Sequence, residues 1–351
     1  MRVHLVDPAA FTPPYDRALA SALARAGAEV ELITSRFAYG DVPEAEGVTV
    51  REAFYRWAPP AGRRYARLAQ HVPDMLRYRR SAAGADVVHF QWLPVQALDA
   101  HLLPGKRPRV LTAHDVLPRE PKPSQLSGQR RLYERMDAIV VHSEHGAARL
   151  RDELGLDPAK VHVIPHGVLD NLARTAPEPL FAKTKPVVLF FGLIRPYKGL
   201  DVLLEAWREA APDAELWVVG MPRMDAAFIH GPNVRTALRF VSGAELAGAF
   251  EAADLVVLPY HEIDQSGVLF TALAFGKPLL LTSVGGFPEI DGAELVPPGD
   301  PHALAAALTA LLADRAKLDR MAAASRAAAD GPLGWDAIAR RTLALYAGLQ
   351  A

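Results

Sequence analysis

The stretch from Asp254 to Glu289 constrains the fold of this chain more than any other. Leu255 to Leu258 is an apolar run of the length of one buried strand, and Pro259 ends it. Polar residues follow. Ser266 then stands in an N-cap position before small and apolar residues, and Gly276 and Pro278 stop the helix that this pattern predicts. Leu279 to Leu281 opens a second strand, which ends at the Gly285–Gly286 turn. Strand, loop, helix and strand in that order make a βαβ unit. Parallel strands of such units bind ligands in the loops at their carboxyl ends. A helix beginning at Ser266-Gly267 aims unsatisfied N–H groups and the positive end of its dipole into that crevice, which suits an anion, most simply a phosphate. The same residues also serve as the plain caps of an ordinary βαβ unit.

The alternation extends along the whole chain. In the first half, strands are expected at 2–6, 29–34, 86–90, 109–112, 138–141 and 161–164. Helices are expected at 15–26 and 144–154, the second capped by Ser143. Thr12-Pro13-Pro14 reads as a breaker before the first helix. No Gly-x-Gly-x-x-Gly follows the first strand, so the dinucleotide fingerprint is absent. Asp170-Asn171, Pro177, Pro179 and Pro186 give residues 169–186 the composition of a linker. Beyond it the pattern restarts, with strands at 187–191, 215–219 and 234–240 and helices at 200–211 and 244–253. Further helices are expected at 303–313, 316–329 and 335–349. The predicted class is α/β with two Rossmann-like domains, 1–168 and 187–334, joined by the linker and followed by a terminal helix, 335–351.

With 351 residues, half of them hydrophobic, the chain has material for two cores. A net charge of −1 argues against a general nucleic-acid binder. The absence of cysteine excludes disulfides, thiolate metal sites and a cysteine nucleophile. No signal peptide and no membrane-length apolar run is visible, so a cytoplasmic protein is expected. Residues 51–80 stand apart. They hold Arg51, Arg56, Arg63, Arg64, Arg67, Arg77, Arg79 and Arg80 against Glu52 and Asp74, with Trp57, Tyr65 and Leu68 interleaved, and Pro73 is expected to break or kink the segment. Such a stretch either docks peripherally on anionic lipid or is a solvated helix with an apolar underside.

Four strands of the first half end in histidine, at His89, His114, His142 and His166. A single strand-end histidine is usually structural, but several at one sheet edge favour a polar cleft. In the second half, the Gly192–Gly199 loop follows a buried strand and presents Arg195 and Lys198. Two cations beside the helix start at Ser266-Gly267 would make a diphosphate site. The chain has no Asp-x-Asp, no His-Glu-x-x-His and no Walker loop, so neither a catalytic metal nor a cofactor is expected.

The segments Phe-Phe-Gly-Leu-Ile-Arg-Pro-Tyr-Lys-Gly (190–199), Val-Ile-Pro-His-Gly-Val (163–168), Ala-Asp-Leu-Val-Val-Leu-Pro-Tyr (253–260) and Gln-Ser-Gly-Val with Ala-Phe-Gly-Lys-Pro (265–278) are weak singly and specific in this order. In them the sequence resembles the retaining, GT-B-type glycosyltransferases of family 4 over nearly its whole length. The resemblance implies two Rossmann-like domains facing a central cleft, with the last helix crossing back to the first. It implies a nucleoside-diphosphate sugar as donor and a carbohydrate or lipid-linked acceptor, in polysaccharide or glycolipid assembly. Carried over by position, Arg195 and Lys198 hold the donor diphosphate and His114 lies near the reacting sugar. Gly192 and Gln265, Ser266, Gly267 and Val268 meet the donor, Phe240 and Val241 meet the base, and Glu289 is a weaker candidate. Tyr15, His89, Asp115 and His166 fall on the acceptor side. The family's Glu-x7-Glu pair is replaced, since Ile263 and Thr271 occupy its positions. Glu262 or Asp264 is then the substitute for the first carboxylate, and Thr271 offers a hydroxyl to the ribose. The usual glycine pair of the first loop is also missing, with Pro13-Pro14-Tyr15 there instead. These departures keep two alternatives open: a catalytically silent homologue that binds a nucleotide sugar or a partner enzyme, and a nucleotide-sugar epimerase of the same shape.

Overall fold

Short apolar runs buried on both faces dictate the architecture, because strands of that kind are stable only inside a covered parallel sheet. A computed structural model describes residues 1–38, 40, 42–57, 64–105, 107–118 and 123–350. The chain divides into two units, Met1–Gly167 with Trp335–Ala351, and Val168–Gly334. Residues 168–186, linker-like in composition, lie with the second unit, where Phe181 packs edge-on against Trp217.

In the first unit the elements are β1 (Arg2–Asp7), α1 (Pro13–Arg25), β2 (Glu29–Ser35), β3 (Thr49–Phe54), α2 (Arg64–Ser81), β4 (Val87–Phe90), α3 (Gln96–Leu102), β5 (Arg109–Thr112), α4 (Pro123–Glu134), β6 (Ala138–Val141), α5 (Glu144–Leu154) and β7 (Val161–Val163). The strands form one seven-stranded parallel sheet in the order β3-β2-β1-β4-β5-β6-β7. Alternate residues serve opposite faces, as the strand period requires. Leu5, Leu32, Val87 and Val110 pack with α1 and the C-terminal helix Trp335–Gly348, whereas Val6, Ile33, Val88 and Leu111 pack in the core on the other side.

The second unit holds β8 (Val187–Phe191), α6 (Leu200–Ala210), β9 (Glu215–Val219), β10 (Val234–Ala237), α7 (Gly243–Ala252), β11 (Leu255–Leu258), α8 (Gly267–Ala274), β12 (Leu279–Thr282), β13 (Glu294–Val296), α9 (Pro301–Ala313) and α10 (Arg315–Asp330). The C-terminal helix is α11. Its six-stranded sheet runs β10-β9-β8-β11-β12-β13, all parallel. Both units therefore reverse their winding between the first and fourth strand, the topological switch point at which such sheets bind ligands.

One device recurs at the opposite, amino edge of both sheets. Asp86, Asp137 and Asp254 each precede a strand. Each carboxylate accepts the backbone N–H of the neighbouring strand's first residue, Arg2 at 2.7 Å, Arg109 at 2.8 Å and Val187 at 2.9 Å. Each aspartate also donates its own N–H to that residue's carbonyl, closing a ring that pins the register. Lys160 and Lys277 repeat a second lock, one per unit. Lys160 donates to the carbonyls of Glu134 and Met136, and Lys277 to those of Glu251 and Ala253.

Some expectations need correction. The basic stretch 51–80 is not one amphipathic segment: residues 51–54 belong to the edge strand β3, where Arg51 pairs with Glu31 at 2.6 Å. Residues 58–63 of that stretch, Arg63 included, lie outside the described residues. Pro73 does not break α2, which continues through it. Pro13 and Pro14 are the first turn of α1 rather than a breaker before it, a position where the missing N–H costs nothing. β10 stops at Ala237, so Phe240 and Val241 lie on the loop before α7.

Candidate functional sites at the two sheet edges

In the second unit, the loops after β8 and β11 flank the switch point. Lys198 is only 6% exposed, and its Nζ donates to the Tyr260 hydroxyl at 2.8 Å, joining one loop to the other. Burying an ammonium is costly unless it is paired or hydrogen-bonded, so this cation is held in place rather than left to wander. Two glycines make the arrangement possible. Gly192 has φ +123°, and a Cβ there would lie 2.6 Å from Lys198 Nζ. At Gly199, φ is +63° and a Cβ would lie 1.9 Å from the Pro259 carbonyl oxygen, so only glycine lets the two loops close up. The His261 N–H donates to the Tyr197 carbonyl at 2.8 Å and ties them again.

Ser266 occupies the N-cap position of α8, but its hydroxyl does not cap the helix; it lies 3.5 Å from the Tyr260 hydroxyl. The first amides of α8, Gly267 and Val268, have no intrahelical acceptor. Val268 also borders Gly192, since a Cβ on that glycine would lie 3.3 Å from Val268 Cγ2. The structure thus brings Gly192, Lys198, Ser266, Gly267 and Val268 together at one sheet edge. Arg195 is exposed on the same loop and makes no ion pair among the described residues. Glu262 is exposed, and Asp264 and Gln265 are half-buried. Phe240 is 69% exposed while Val241 is buried. Glu289 ends a single 3-10 turn after β12. Thr271 is buried and its hydroxyl donates back to the Gly267 carbonyl at 2.9 Å, so it is already engaged within its own helix.

In the first unit the four strand-end histidines do converge. His114 and His142 face each other, Nδ1 to Nε2, at 3.2 Å, and the His142 and His166 rings are 5.0 Å apart. Tyr15 packs edge-on against His114 and His166, each 4.7 Å away between ring centres. His89 is fixed between the Tyr346 hydroxyl at 2.6 Å and the Thr112 hydroxyl at 2.8 Å. Burial holds all four imidazoles neutral, with His89 lowered to about 3 and His142 to about 4, and the neighbouring rings add to the effect at His89, His114 and His166. For His89 that difference amounts to about 5 kcal/mol against the protonated form. His89, His166 and Tyr15 are therefore buried supports, whereas His114 is partly exposed and Asp115 beside it is exposed.

Neutrality fixes the proton order. His142 Nδ1 faces the Ile164 carbonyl at 3.0 Å and must donate. Its Nε2 then accepts from His114 Nδ1, which leaves His114 Nε2 as an acceptor facing Gln91 at 3.2 Å. Gln91 can donate only through its amide nitrogen, so that buried nitrogen, otherwise without a partner among the described residues, is the group assigned to face His114.

Several residues of this edge carried no sequence signal. Asp7 and Asp16 are both buried and hydrogen-bonded to each other. Asp7 also accepts from the amides of Ala9 and Phe11, at 3.0 and 2.5 Å. Burial and the facing Asp7 carboxylate push Asp16 well above the carboxylate range, so the pair keeps one proton, on Asp16. Across this unit's switch point Phe11 stacks on Trp92, 4.1 Å between ring centres. Tyr260, the hydroxyl that holds Lys198, was equally silent.

Comparison with known proteins fits this geometry. Residues 185–314 match the family model for glycosyl transferases group 1, and residues 17–171 match that for glycosyltransferase family 4. A D-inositol 3-phosphate glycosyltransferase of Xylanimonas cellulosilytica is 30% identical, over 94% of this chain and 89% of its own. Among solved structures, sucrose-phosphate synthase from Thermosynechococcus elongatus is similar with a TM-score of 0.76 at 22% identity, covering 99% of both chains. The Anabaena protein HepE, solved with UDP and glucose, gives 0.73 at 19% identity, covering 99% of this chain and 100% of its own. At those identities the structural likeness concerns the GT-B fold alone. The sequence relationship goes further: this chain belongs to the group 1, family 4 glycosyltransferases.

Proposed function

We propose that the protein moves a sugar from a nucleoside-diphosphate sugar to an acceptor hydroxyl with retention at the anomeric carbon, in polysaccharide or glycolipid assembly. The observation that carries this reading is the buried Lys198 ammonium, held by Tyr260 at the switch point beside the first amides of α8. The donor diphosphate takes Lys198, Arg195 and the amides from Gln265 to Val268, with Phe240 and Val241 at the base. These groups neutralise the leaving group as charge develops on it, so that no metal is needed. Without an enzymic nucleophile, the acceptor hydroxyl attacks on the leaving-group face and a donor phosphate oxygen takes its proton. His114 sits on the acceptor side near the reacting sugar. The bound nucleotide of HepE and the phosphorylated cyclitol in the name of the Xylanimonas relative support this substrate class.

A thermal-shift screen against UDP, GDP, ADP and their sugar conjugates tests the reading, since a ligand of the native state raises its stability. One nucleotide should shift the melting point, and Lys198→Ala should remove the shift. No shift with any nucleotide would reject it. The engaged Thr271 hydroxyl favours a second reading, a nucleotide-sugar binder without turnover; transfer or donor hydrolysis by purified protein would exclude that one. Conversion of donor without acceptor would instead indicate an epimerase. No helix among the described residues is long and apolar enough to cross a membrane. Trp57 and Tyr65, 80% and 86% exposed, lie among the arginines of residues 51–80. We assign them to peripheral docking on the inner face of an anionic membrane, which sedimentation with anionic liposomes at low salt tests.

A further inference from the structure

A pocket of about 320 Å³ opens where β2 and β3 end. Its polar lining is Ser35, Arg36, Glu52, Arg56 and Arg67, and Tyr55 forms a wall. Three guanidinium groups against one carboxylate leave it positive. Ser35 is only 4% exposed, and its hydroxyl has no hydrogen-bond partner among the described residues. A buried hydroxyl without a partner is unfavourable, and a ligand acceptor atom would relieve it.

The wall is rigidly supported. Tyr55 holds φ +51°, a left-handed value uncommon for a bulky residue. Its N–H donates to Asp74 at 2.7 Å, and its hydroxyl bonds His71 Nδ1 at 2.7 Å. His71 Nε2 in turn bonds the wholly buried Asp99 at 2.5 Å, and Asp99 also accepts from the Val95 amide. The Arg67 guanidinium lies 4.4 Å from the centre of the Tyr55 ring, which fixes a cation over the pocket wall. A guanidinium is the side chain best shaped for two-point contact with phosphate.

We propose that this pocket binds a phosphate monoester, and that the phosphate is carried by the acceptor. The second clause rests on the glycosyltransferase reading; the binding itself does not. The pocket lies on the same carboxyl edge as His114. Counting from β2 to β5, it is three strand spacings away, roughly 14 Å at ~4.8 Å per strand. That is the span of an acceptor one or two rings long. The phosphate belongs either to a soluble phosphorylated sugar or cyclitol, or to a lipid headgroup.

The experiment uses the full chain carrying Lys198→Ala, so that phosphate binding on the donor side is disabled. Inorganic phosphate is titrated at constant ionic strength against chloride, with binding read by calorimetry. Phosphate should bind, and Arg36→Gln or Arg67→Gln should each weaken it roughly tenfold. Ser35→Ala should weaken it too while raising the melting temperature in chloride, because it removes an unpartnered buried hydroxyl. Arg36 is exposed, so Arg36→Gln keeps the test valid if Arg67→Gln fails to fold. Binding no tighter than chloride, or binding unchanged by Arg36→Gln, would overturn the proposal. Competition by glucose 6-phosphate identifies a soluble source. Cosedimentation with phosphatidic acid vesicles that is lost in Arg36→Gln identifies a headgroup. Phosphate binding with no sugar transfer by the wild-type protein would leave the binding site standing and remove the acceptor clause together with the glycosyltransferase reading.

Discussion

The first unit carries, at the ends of four of its strands, β4 to β7, imidazoles packed among aromatic rings, all uncharged. At the same edge of the second unit, with the same strand order, stands a buried ammonium with an exposed guanidinium on the same loop. Four imidazoles tolerate contact because burial strips their protons, and neutral rings pack and hydrogen-bond like other aromatics. A buried ammonium instead needs a dipole, a hydroxyl or an anion beside it. The histidine cluster is thus satisfied without a ligand, whereas the second edge presents an exposed guanidinium beside a hydrogen-bonded ammonium. The division matches a reaction in which the reacting group of one substrate is a neutral hydroxyl and that of the other a diphosphate.

Removing that ammonium should have the largest effect. Lys198→Ala should lower turnover about 10²–10³-fold, the usual scale for a lost leaving-group contact, while the exposed Arg320→Ala leaves it unchanged. Equal rates would mean that the charged edge is not the donor edge.

Acid should then separate the units. The four histidines have folded pKa values below their ordinary 6.5, so below that pH the unfolded chain holds protons that the folded one lacks. Their contribution is intact above about pH 6.5 and is lost as pH falls toward 4, by up to about 1.4 kcal/mol per histidine per pH unit. Hydrogen exchange at pH 7.5 and 5.5 should show protection falling in the first unit ahead of the second. Parallel loss in both would count against a neutral cluster.

Tyr260→Phe sharpens the contrast further. It removes the hydroxyl that holds Lys198 but keeps the ring, and nucleotide affinity should drop about tenfold. An unchanged affinity would mean that the ammonium is positioned by other contacts.

Asp16→Asn is the mildest. The amide can still donate to Asp7 but needs no retained proton. Wild-type Asp16 has a raised folded pKa, so it costs stability as pH rises above the carboxylate range. The variant should match or exceed the wild type at pH 7 by about 1 kcal/mol, with a flatter pH profile in calorimetry. A clear loss would show that the charge of Asp16 is wanted.

Much of this was legible because the central strands are four- or five-residue apolar runs closed by aspartate, glycine or proline. β3 escaped because Thr-Val-Arg-Glu-Ala-Phe, on a sheet edge, is largely exposed and carries no apolar run. β13, three residues long, and α3, seven, are too short for a period to emerge. Lys198 and His114 announced themselves by lying one loop beyond a strand. Their partners did not: Tyr260 is 62 residues from Lys198, and nothing local marks Asp7 and Asp16 as a pair. Ser35 gained meaning only when β3 and α2 closed a pocket over it. Such adjacency is a property of the folded sheet and leaves no periodicity along the chain.

The aspartate rings at the amino edge bear on how such proteins diversify. Asp86, Asp137 and Asp254 set the alignment of their strands at the end remote from every candidate ligand contact. Loops at the other end can then be lengthened, shortened or exchanged between relatives without sliding one strand past its neighbour. A change of acceptor becomes a matter of grafting the segments after β1, β2 and β4, with the scaffold beneath them left untouched.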